Sequence, residues 1–475
     1  MNLVTTYSVL SSQDACNQNT EMSQTPEQAS QSRERIRLIS AKHFNGDSVL
    51  PPGQTGFFAT LRDTALLWLK GGELASYAIQ RLPAHVSRDI AVINTLFRTV
   101  IVITNPDYMR PFLALPRSGS ELLSEGRPWQ LVANEFGDHN LLTCFPTMHA
   151  QLREFLKPYF SFEATKERYP AFLKQSVDYL ERWIQQNQPI NISIEIADFA
   201  ADNVIKILFQ RTREAKHAQA VDYLTRMMGY KMLHIPEFFL NQKKIKQYRQ
   251  EIDQLVDDLI EVEERSNTHL NDLIENLSRW VREENLSWQY VRESLKLLLF
   301  AGLETSSSLL TSCLYSLAKQ PDLQETLLAE MEEKGIQNIE DLKADHLSQL
   351  TGLRNFINKV LREHPPIWGQ TRRVEEESVL DGSSIHPAYR IPHQAAVILL
   401  HAPVDVDKES KKCPLNFGTG VNECIGQFFV RWEVRTFLAS LLLKAKIREN
   451  HREPKWDWLS THHIQGDFFI ELESR

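Results

Sequence analysis

One cysteine held between glycines constrains this chain more than any other feature. In the segment NFGTGVNECIGQ, residues 416–427, Cys424 follows Gly418 and Gly420 and precedes Gly426. Glycine allows close approaches that a side chain would prevent, so the loop can admit a flat group beside the sulfur. The next residues, IGQFFVRWEVRTFLASLLLK, have helical periodicity and predict a helix that begins just after the cysteine. Because N–H groups at a helix N-terminus stabilise a thiolate, the sequence predicts a metal-binding or nucleophilic sulfur.

The surroundings of Cys424 favour a metal ligand over a nucleophile. A cysteine nucleophile needs a base, and no histidine lies near Cys424 in the sequence. An axial thiolate on haem iron needs no such partner. The alternative is a cysteine buried in a turn, because cysteine is among the most often buried residues. Cys413 is the nearest rival, but it lacks a glycine frame and is followed by Pro414.

Composition excludes several classes of protein. The chain has 475 residues, 42% hydrophobic and 24% charged, which is typical of a globular protein with a large core. Its net charge of −8 is spread along the sequence, so no nucleic-acid surface is predicted. Five scattered cysteines without a CxxC pair indicate a reducing compartment rather than disulfides or structural zinc. No secretory signal or stretch of roughly 20 apolar residues is found, so we expect a cytoplasmic protein, or one peripheral to a membrane, without a transmembrane span.

The pattern along the chain predicts a polar tail followed by one large domain. Residues 11–35 are rich in Ser and Gln and contain no aromatic residue, so we expect them to be disordered. Helical periodicity and strand-type runs then alternate, and helices dominate. The clearest helical patterns cover 169–186, 248–265 and 308–335, and the clearest strand patterns cover 93–106, 395–402 and 466–474. We therefore expect a tail over 1–45 and a single, mainly α domain with a small β-rich region over 46–475.

Four fixed positions of the cysteine loop resemble those of a known family. Phe417, Gly420, Cys424 and Gly426 match F-x-x-G-x-x-x-C-x-G, which is similar to the cysteine loop of the cytochrome P-450 family of haem-thiolate enzymes. The resemblance implies that family's mainly helical fold and a haem b cofactor. It also implies that Cys424 is the axial ligand of the iron. Further similar motifs extend from about Pro51 to the C-terminus.

A second motif lies in the segment LLLFAGLETSSSLL, 297–310. Ala301, Gly302, Glu304 and Thr305 resemble A-G-x-[DE]-T in the long helix that crosses the oxygen-binding face of the haem in that family. Small side chains at the first two positions would leave room for dioxygen. An acid beside a hydroxyl can order water and deliver protons, so the last two are the predicted catalytic residues. Without the resemblance, the segment is typical of an ordinary core helix.

Three cationic or imidazole side chains are implied as ligands of the haem propionates. His149 and Arg153 lie four residues apart on a predicted helix and resemble the family's H-x-x-x-R. Arg372 lies six residues beyond the paired prolines of HPPIWGQTRRV and resembles the family's propionate-binding arginine, with Arg373 as the alternative. Arginine binds carboxylates through two parallel hydrogen bonds, which suits this role. A His and an Arg one turn apart are otherwise typical of a solvated helix face.

The chain departs from the family pattern at three places. Lys359-Val-Leu-Arg362 replaces E-x-x-R, so the usual Glu-Arg-Arg triad cannot form. The segment between His401 and Phe417 is shorter than the family's meander, which supplies the third member of that triad. Asn422 stands where the family has Arg or His, which removes a charge-assisted contact worth ~1.5–3 kcal/mol when buried. These departures weaken the prediction of turnover more than the prediction of the fold.

The resemblance implies a monooxygenase that inserts one oxygen atom of O2 into an apolar organic substrate. Its electrons would come from NAD(P)H through a separate electron-donor protein, a reductase or ferredoxin, for which Arg431 and Arg435 are candidate docking residues. One alternative is a haem-thiolate isomerase, dehydratase or peroxide-driven oxidase. Another is a degenerate relative that binds haem without catalysis.

Overall fold

The computed structural model describes most of the chain after residue 35. The described residues are 36–44, 46–52, 89–94, 99–113, 135–213, 242–261, 273–367, 369–374, 376–383, 387–401, 415–448, 450, 452–458 and 461–475. The helices are α1 (Pro106–Leu113), α2 (Pro146–Leu156), α3 (Phe162–Glu167), α4 (Tyr169–Gln186), α5 (Ile192–Asp202), α6 (Gln242–Glu261), α7 (Leu273–Glu283), α8 (Gln289–Ala318), α9 (Pro321–Glu333), α10 (Ala344–Gln349), α11 (Thr351–Glu363) and α12 (Gln427–Lys444). The strands are β1 (Leu38–Ser40), β2 (Ile90–Asn94), β3 (Thr99–Ile103), β4 (Ile190–Asn191), β5 (Gly369–Arg373), β6 (Ser378–Leu380), β7 (Tyr389–Ile391), β8 (Ala396–Leu400), β9 (Ala445–Ile447), β10 (Trp456–Trp458), β11 (His462–Ile464), β12 (Phe469–Ile470) and β13 (Leu472–Ser474).

The chain divides into two compact units, and the first is rich in β-strands. Its described residues come from 36–52, 89–113 and 369–424. The larger sheet has the strand order β2-β3-β8-β5, in which β3 and β8 are parallel and the other pairs are antiparallel. A smaller sheet has the order β1-β6-β7. Buried aliphatic side chains from both sheets pack with Tyr108, Met109 and Phe112 of α1 to form the core of this unit.

The strand pair predicted over 93–106 is present and starts three residues earlier. β2 and β3 are antiparallel, in a register that runs from Ile90 opposite Ile103 to Asn94 opposite Thr99. The chain then turns at Asn105, whose side-chain oxygen accepts a hydrogen bond from the Asp107 N–H at 2.8 Å. Asn favours such side-chain to backbone bonds, which explains why the strand pair ends here and α1 begins.

Part of the predicted tail is ordered. Within 1–45, strand β1 pairs antiparallel with β6, and the Ala41 N–H donates to the Glu377 carbonyl at 2.9 Å. The Arg37 guanidinium also forms an ion pair with Asp381 at 2.9 Å. Residues 1–35 and 45 lie outside the described residues.

The second unit is helical, with the 30-residue helix α8 at its centre. Helices α4 and α12 pack along one another through aromatic side chains, among them Phe172 against Phe429, with ring centroids 4.9 Å apart. Trp183 packs against Phe437 in the same interface, at 5.8 Å. Three short strand pairs complete the unit: β10 with β11, β12 with β4, and β13 with β9. The mainly α fold with a small β component, predicted from the sequence, is confirmed.

The long helical pattern over 308–335 forms two helices rather than one. Helix α8 ends at Ala318 and α9 begins at Pro321. Proline lacks a backbone N–H and is accepted in the first turn of a helix but not in its interior, so the break falls before Pro321.

Helix α8 differs from the expectation that no stretch of the chain is long and apolar enough to span a membrane. Among the described residues it is the helix that is long and apolar enough to cross a membrane, by length and composition alone. However, 72% of its most apolar window is buried within the protein. Such burial is typical of the core helix of a globular domain.

Candidate functional site

The cysteine loop is shaped by two glycines and by backbone hydrogen bonds. Gly418 and Gly420 have φ angles of +70° and +73°, a region that favours glycine, so their occurrence here has a conformational reason. The Gly418 N–H donates to the Leu415 carbonyl at 2.8 Å. The Cys424 N–H donates to the Phe417 carbonyl at 2.7 Å, which joins the two ends of the motif.

Cys424 differs from the other cysteines in the described residues because it is exposed. Cys144 and Cys313 are 2% and 0% exposed, and burial raises the pKa of the Cys144 thiol to about 12. Cys424 lies two residues before Gly426, the N-cap residue of α12. The sulfur therefore precedes the first helical turn by a short loop and is open to a ligand.

Arg372 lies in β5 and is almost completely buried. Its Nε donates to the Phe112 carbonyl at 3.0 Å, and its Nη2 donates to Gln370 Oε1 at 3.2 Å. The Gln370 amide nitrogen lies 3.5 Å from the point where a Cβ on Gly418 would be. Gln370 therefore places Arg372 beside the cysteine loop. The side chain of Arg373, the alternative predicted ligand, lies outside the described residues.

His401 is the third polar side chain at this place. Its Nε2 lies 3.5 Å from the amide nitrogen of Gln370. Burial, and secondly the charge of Arg372, lower the pKa of His401 to about 4, so its ring is neutral at physiological pH. Neither Gln370 nor His401 was predicted from the sequence, because neither belongs to a recognisable spacing.

Gly302 has a packing role that the sequence did not reveal. A Cβ at this position would lie 2.7 Å from Cγ2 of Val204. Val204 belongs to the π-helical turn Asn203–Leu208, which continues directly from α5. The missing side chain of Gly302 thus lets the π-helical turn approach α8. Ala301, the preceding residue, is exposed.

Glu304 and Thr305, the predicted catalytic pair, have different partners. The Thr305 hydroxyl donates to the Ala301 carbonyl at 2.7 Å, one turn earlier in the same helix. The Glu304 side chain is buried, and its Oε2 accepts a hydrogen bond from the Thr461 hydroxyl at 2.7 Å. Consecutive residues on a helix point about 100° apart, so this divergence is expected. Thr305 is half-buried, and its oxygen can still accept a hydrogen bond.

A buried carboxyl that was not predicted from the sequence links three helical segments. Glu433 of α12 is 1% exposed, and its Oε1 accepts a hydrogen bond from the Asn203 amide at 2.7 Å. The Ser306 hydroxyl of α8 lies close to the same carboxyl. Burial raises the pKa of Glu433 to about 7, and these two groups offset only part of that effect. The sequence could have indicated this residue, because Glu433 lies four residues from both Phe429 and Phe437 and therefore on the same buried face of the helix.

His149 and Arg153 both lie in α2 and are half-buried. Burial, and secondly the charge of Arg153, lower the pKa of His149, as expected for residues one turn apart on the same helix. The structure thus places His149 and Arg153 one turn apart on α2 in the second unit, and Gln370, the partner of Arg372, beside Gly418 of the cysteine loop in the first.

Two of the three departures from the family motifs lie within the described residues. Lys359 lies on α11 and is exposed, so replacement of a carboxylate by an ammonium group leaves no buried charge there. Asn422 ends a 3₁₀ turn, Gly420–Asn422, within the cysteine loop. The shortened meander and Cys413 lie outside the described residues.

Comparison with known proteins identifies a family. The family model described as Cytochrome P450 matches residues 88–410, more than half of the chain, and the match ends before Cys424. A human protein named Ultra-long-chain fatty acid omega-hydroxylase is 24% identical over 418 residues, which cover 75% of this chain and 76% of that protein. Human Cytochrome P450 4F8 is 29% identical over 219 residues, 42% of each chain. Rat Cytochrome P450 4F5 is 26% identical, and the match spans only 45% of its length.

Two solved structures share the fold. A structure described as retinoic acid bound cyanobacterial CYP120A1 superimposes with a TM-score of 0.71 at 19% identity, covering 90% of this chain and 100% of that one. The cytochrome P450DA heme domain superimposes with a TM-score of 0.72 at 18% identity, covering 90% of this chain and 99% of that domain. At this identity the likeness concerns the fold alone.

Proposed function

This chain belongs to the cytochrome P450 family, and on that premise we propose that it is a haem-thiolate monooxygenase. In this proposal it inserts one oxygen atom of O2 into an apolar organic substrate, and a separate reductase or ferredoxin delivers electrons from NAD(P)H. The observation that carries the proposal is the exposed Cys424 at the end of a glycine-shaped loop. We place the protein in the cytoplasm or peripherally on a membrane.

The side chains available fit a haem. A thiol is a suitable axial ligand only where it can reach the iron, and Cys424 is exposed whereas Cys144 and Cys313 are buried. Arginine guanidinium groups and an imidazole suit the two propionate carboxylates, and Arg372, Arg153 and His149 supply them. Asn422 can add a neutral hydrogen bond. The chain therefore offers one sulfur to the iron, and several cationic or polar side chains to the propionate carboxylates of the haem.

When bound, haem with a thiolate ligand supplies the oxygen-activating chemistry. In our proposal the chain holds its propionates through His149, Arg153 and Arg372. Glu304 holds and releases protons at its carboxylate, and Thr305 holds a water molecule at its hydroxyl oxygen. The Thr305 proton is already used in the bond to Ala301, so this hydroxyl acts as an acceptor for the water that Glu304 protonates.

We propose a long-chain fatty acid as the first substrate to test. The human relative whose match covers 75% of this chain is named an ultra-long-chain fatty acid omega-hydroxylase. A long aliphatic chain belongs to the apolar class of substrate that the family resemblance implies. Fatty acids of increasing chain length, incubated with NADPH and a reductase, provide the test of this choice.

The axial ligand is tested by replacement of Cys424 with alanine. We expect wild-type protein, reduced under carbon monoxide, to show the spectrum of a thiolate-bound haem, and Cys424→Ala to lose it. Cys413→Ala is the matched control, because Cys413 is the nearest rival in sequence, and we expect its spectrum to be unchanged. A thiolate spectrum that survives Cys424→Ala, or that disappears in Cys413→Ala, would contradict the assignment.

A second candidate function is haem binding without monooxygenase turnover. Lys359 and Asn422 favour it, because each replaces a residue that the family uses around the proximal side of the haem. Product formation with NADPH and reductase would exclude this candidate. Product formation with peroxide alone would instead favour the peroxide-driven alternative.

A further inference from the structure

Glu304 is held by a residue that lies 157 positions away in the sequence. The Thr461 hydroxyl donates to Glu304 Oε2 at 2.7 Å, and the two side chains are 1% and 7% exposed. A hydrogen bond from a neutral donor to a carboxylate favours the charged form and fixes the orientation of the carboxylate. In a site closed to water such a bond is stronger than on a surface.

Thr461 is itself fixed by the hairpin that carries it. It directly precedes β11, which pairs antiparallel with β10. The next residue, His462, donates its backbone N–H to the Pro366 carbonyl at 2.8 Å. The His462 carbonyl accepts a hydrogen bond from the Ser308 hydroxyl, one turn after Glu304 on α8. The hairpin is therefore bonded to α8 at two successive turns of the helix.

A stack of rings supports the same hairpin. The Trp456 ring lies against those of His462 and His364, each with centroids 4.5 Å apart and planes inclined by 24°. Burial is the main cause that lowers the pKa of His364 to about 4 and that of His462 to about 3. Both imidazoles are consequently neutral near pH 7, so charge repulsion does not oppose the stack.

We propose that Thr461 is a positioning residue, which holds the Glu304 carboxylate in one orientation and so lets hairpin β10–β11 control proton delivery. This inference rests on the proposed function, because it assigns a role to Thr461 only through Glu304.

The test compares Thr461→Val, which removes the donor at nearly constant volume, with Thr461→Ser, which keeps it. Thr436→Val is the matched control, because Thr436 is also fully buried and its hydroxyl has no hydrogen-bond partner among the described residues. The first readout is infrared titration of the Glu304 carboxyl, whose band is identified by its loss in Glu304→Gln. We expect protonation at a pH about one unit higher in Thr461→Val, and at the wild-type pH in the serine and control variants.

The second readout is the yield of product per NADPH in haem-loaded protein with reductase and a fatty acid. We expect about a tenfold lower yield in Thr461→Val and recovery in Thr461→Ser, because a bond to a charged group is lost and then restored. An unchanged titration in Thr461→Val, or an equal change in Thr436→Val, would overturn the inference. Absence of a thiolate spectrum or of turnover in the wild type would instead count against the proposed function, and the infrared titration would still decide on Thr461.

Discussion

At position 302 a hydrogen atom in place of a side chain lets two helical segments meet. The contact partner, Val204, is 2% exposed and belongs to a π-helical turn, a form that is rare and often found near functional sites. The contact lies two residues before Glu304. Its integrity therefore affects the placement of the proposed proton-delivering group.

Gly302→Ala is expected to destabilise the protein. The added Cβ would lie 2.7 Å from Val204 Cγ2, closer than van der Waals contact permits, and overpacking of this kind costs about 1–3 kcal/mol. Thermal unfolding measures the effect. In a Val204→Ala background the same substitution should cost much less, because the opposing methyl group is gone. An equal cost in both backgrounds would show that the contact is not the cause.

Haem affinity is expected to fall as pH rises, through His149. Burial and Arg153 lower the pKa of His149 in the protein without haem, so its ring is mainly neutral at neutral pH. In the proposed complex a propionate beside the ring would favour the charged form and raise the pKa of His149, so binding would take up a proton. Haem affinity is then highest below the pKa that His149 has without haem. Between that pKa and the higher pKa of His149 in the complex, affinity decreases by at most about tenfold per pH unit.

The measurement for His149 is the rate of haem transfer to a scavenger protein across this pH range. His149→Gln keeps a hydrogen-bond donor but cannot titrate, so its transfer rate should depend less on pH. The same dependence in both proteins would assign the effect to another group.

At the scale of elements, α12 brings a buried carboxyl to two other segments of the helical unit. Along this helix Glu433 meets Asn203 of the π-helical turn, while Ser306 of α8 lies close to its carboxyl. Three segments thus converge on one carboxyl near the proposed catalytic pair. Asp202, the nearest acid along the π-helical segment, is bonded instead to Lys206 and Arg213.

Stability is expected to decrease with rising pH because of Glu433. Its pKa is about 7 in the folded protein, against an ordinary value of 4.5. The contribution of Glu433 to the free energy of unfolding is complete below about pH 4.5. It is lost as the pH rises through about 7, since the folded protein then carries a buried charge. The difference between these two pKa values corresponds to about 3 kcal/mol of stability. Glu433→Gln keeps an acceptor for Asn203 without the charge.

Denaturant unfolding of wild type and Glu433→Gln between pH 5 and 8 measures this contribution. The difference in free energy of unfolding should move in favour of the glutamine variant as pH rises. A difference that is constant over the whole range would contradict the assignment of a raised pKa to Glu433.

Local sequence patterns predicted the helices and strands better than they predicted the contacts between those elements. The helix over 169–186 and the strand pair ending before Asn105 follow from periodicity and turn residues, which are local properties. The motif placed Glu304 on a helix but did not reveal its partner, because Thr461 is distant in sequence. The break at Pro321 was visible in the sequence, yet the apolar pattern on both sides concealed it. The polar partners of the buried arginine in β5 belong to no motif, so only the fold reveals them.

At the scale of the whole molecule, the β-rich unit is assembled from distant parts of the chain. Strand β1 is an edge strand that pairs only with β6 among the described residues, and it is anchored by Arg37 and Asp381. Residues 37–41 are thereby tied to strand β6, which lies some 340 positions later in the sequence.

Deletion from the N-terminus tests the predicted boundary of the domain. Because the sequence predicts a polar tail, we expect removal of residues 1–35 to leave the midpoint of thermal unfolding unchanged. Removal of 1–44 also deletes β1 and its bonds to β6, and should lower the midpoint by several degrees. A large loss on the shorter deletion would show that the tail contributes to the fold, and no loss on the longer one would show that β1 does not.

The exposure of Cys424 has a consequence for the protein before it acquires its cofactor. Alkylating agents and oxidants reach a surface sulfur readily, whereas Cys144 and Cys313 are shielded by packing. In the proposed role of Cys424, damage at this one atom would abolish iron ligation. On this proposal, haem bound at Cys424 would shield the same sulfur from alkylation and oxidation, and we expect the haem-loaded protein to react more slowly than the haem-free protein with a thiol-alkylating agent.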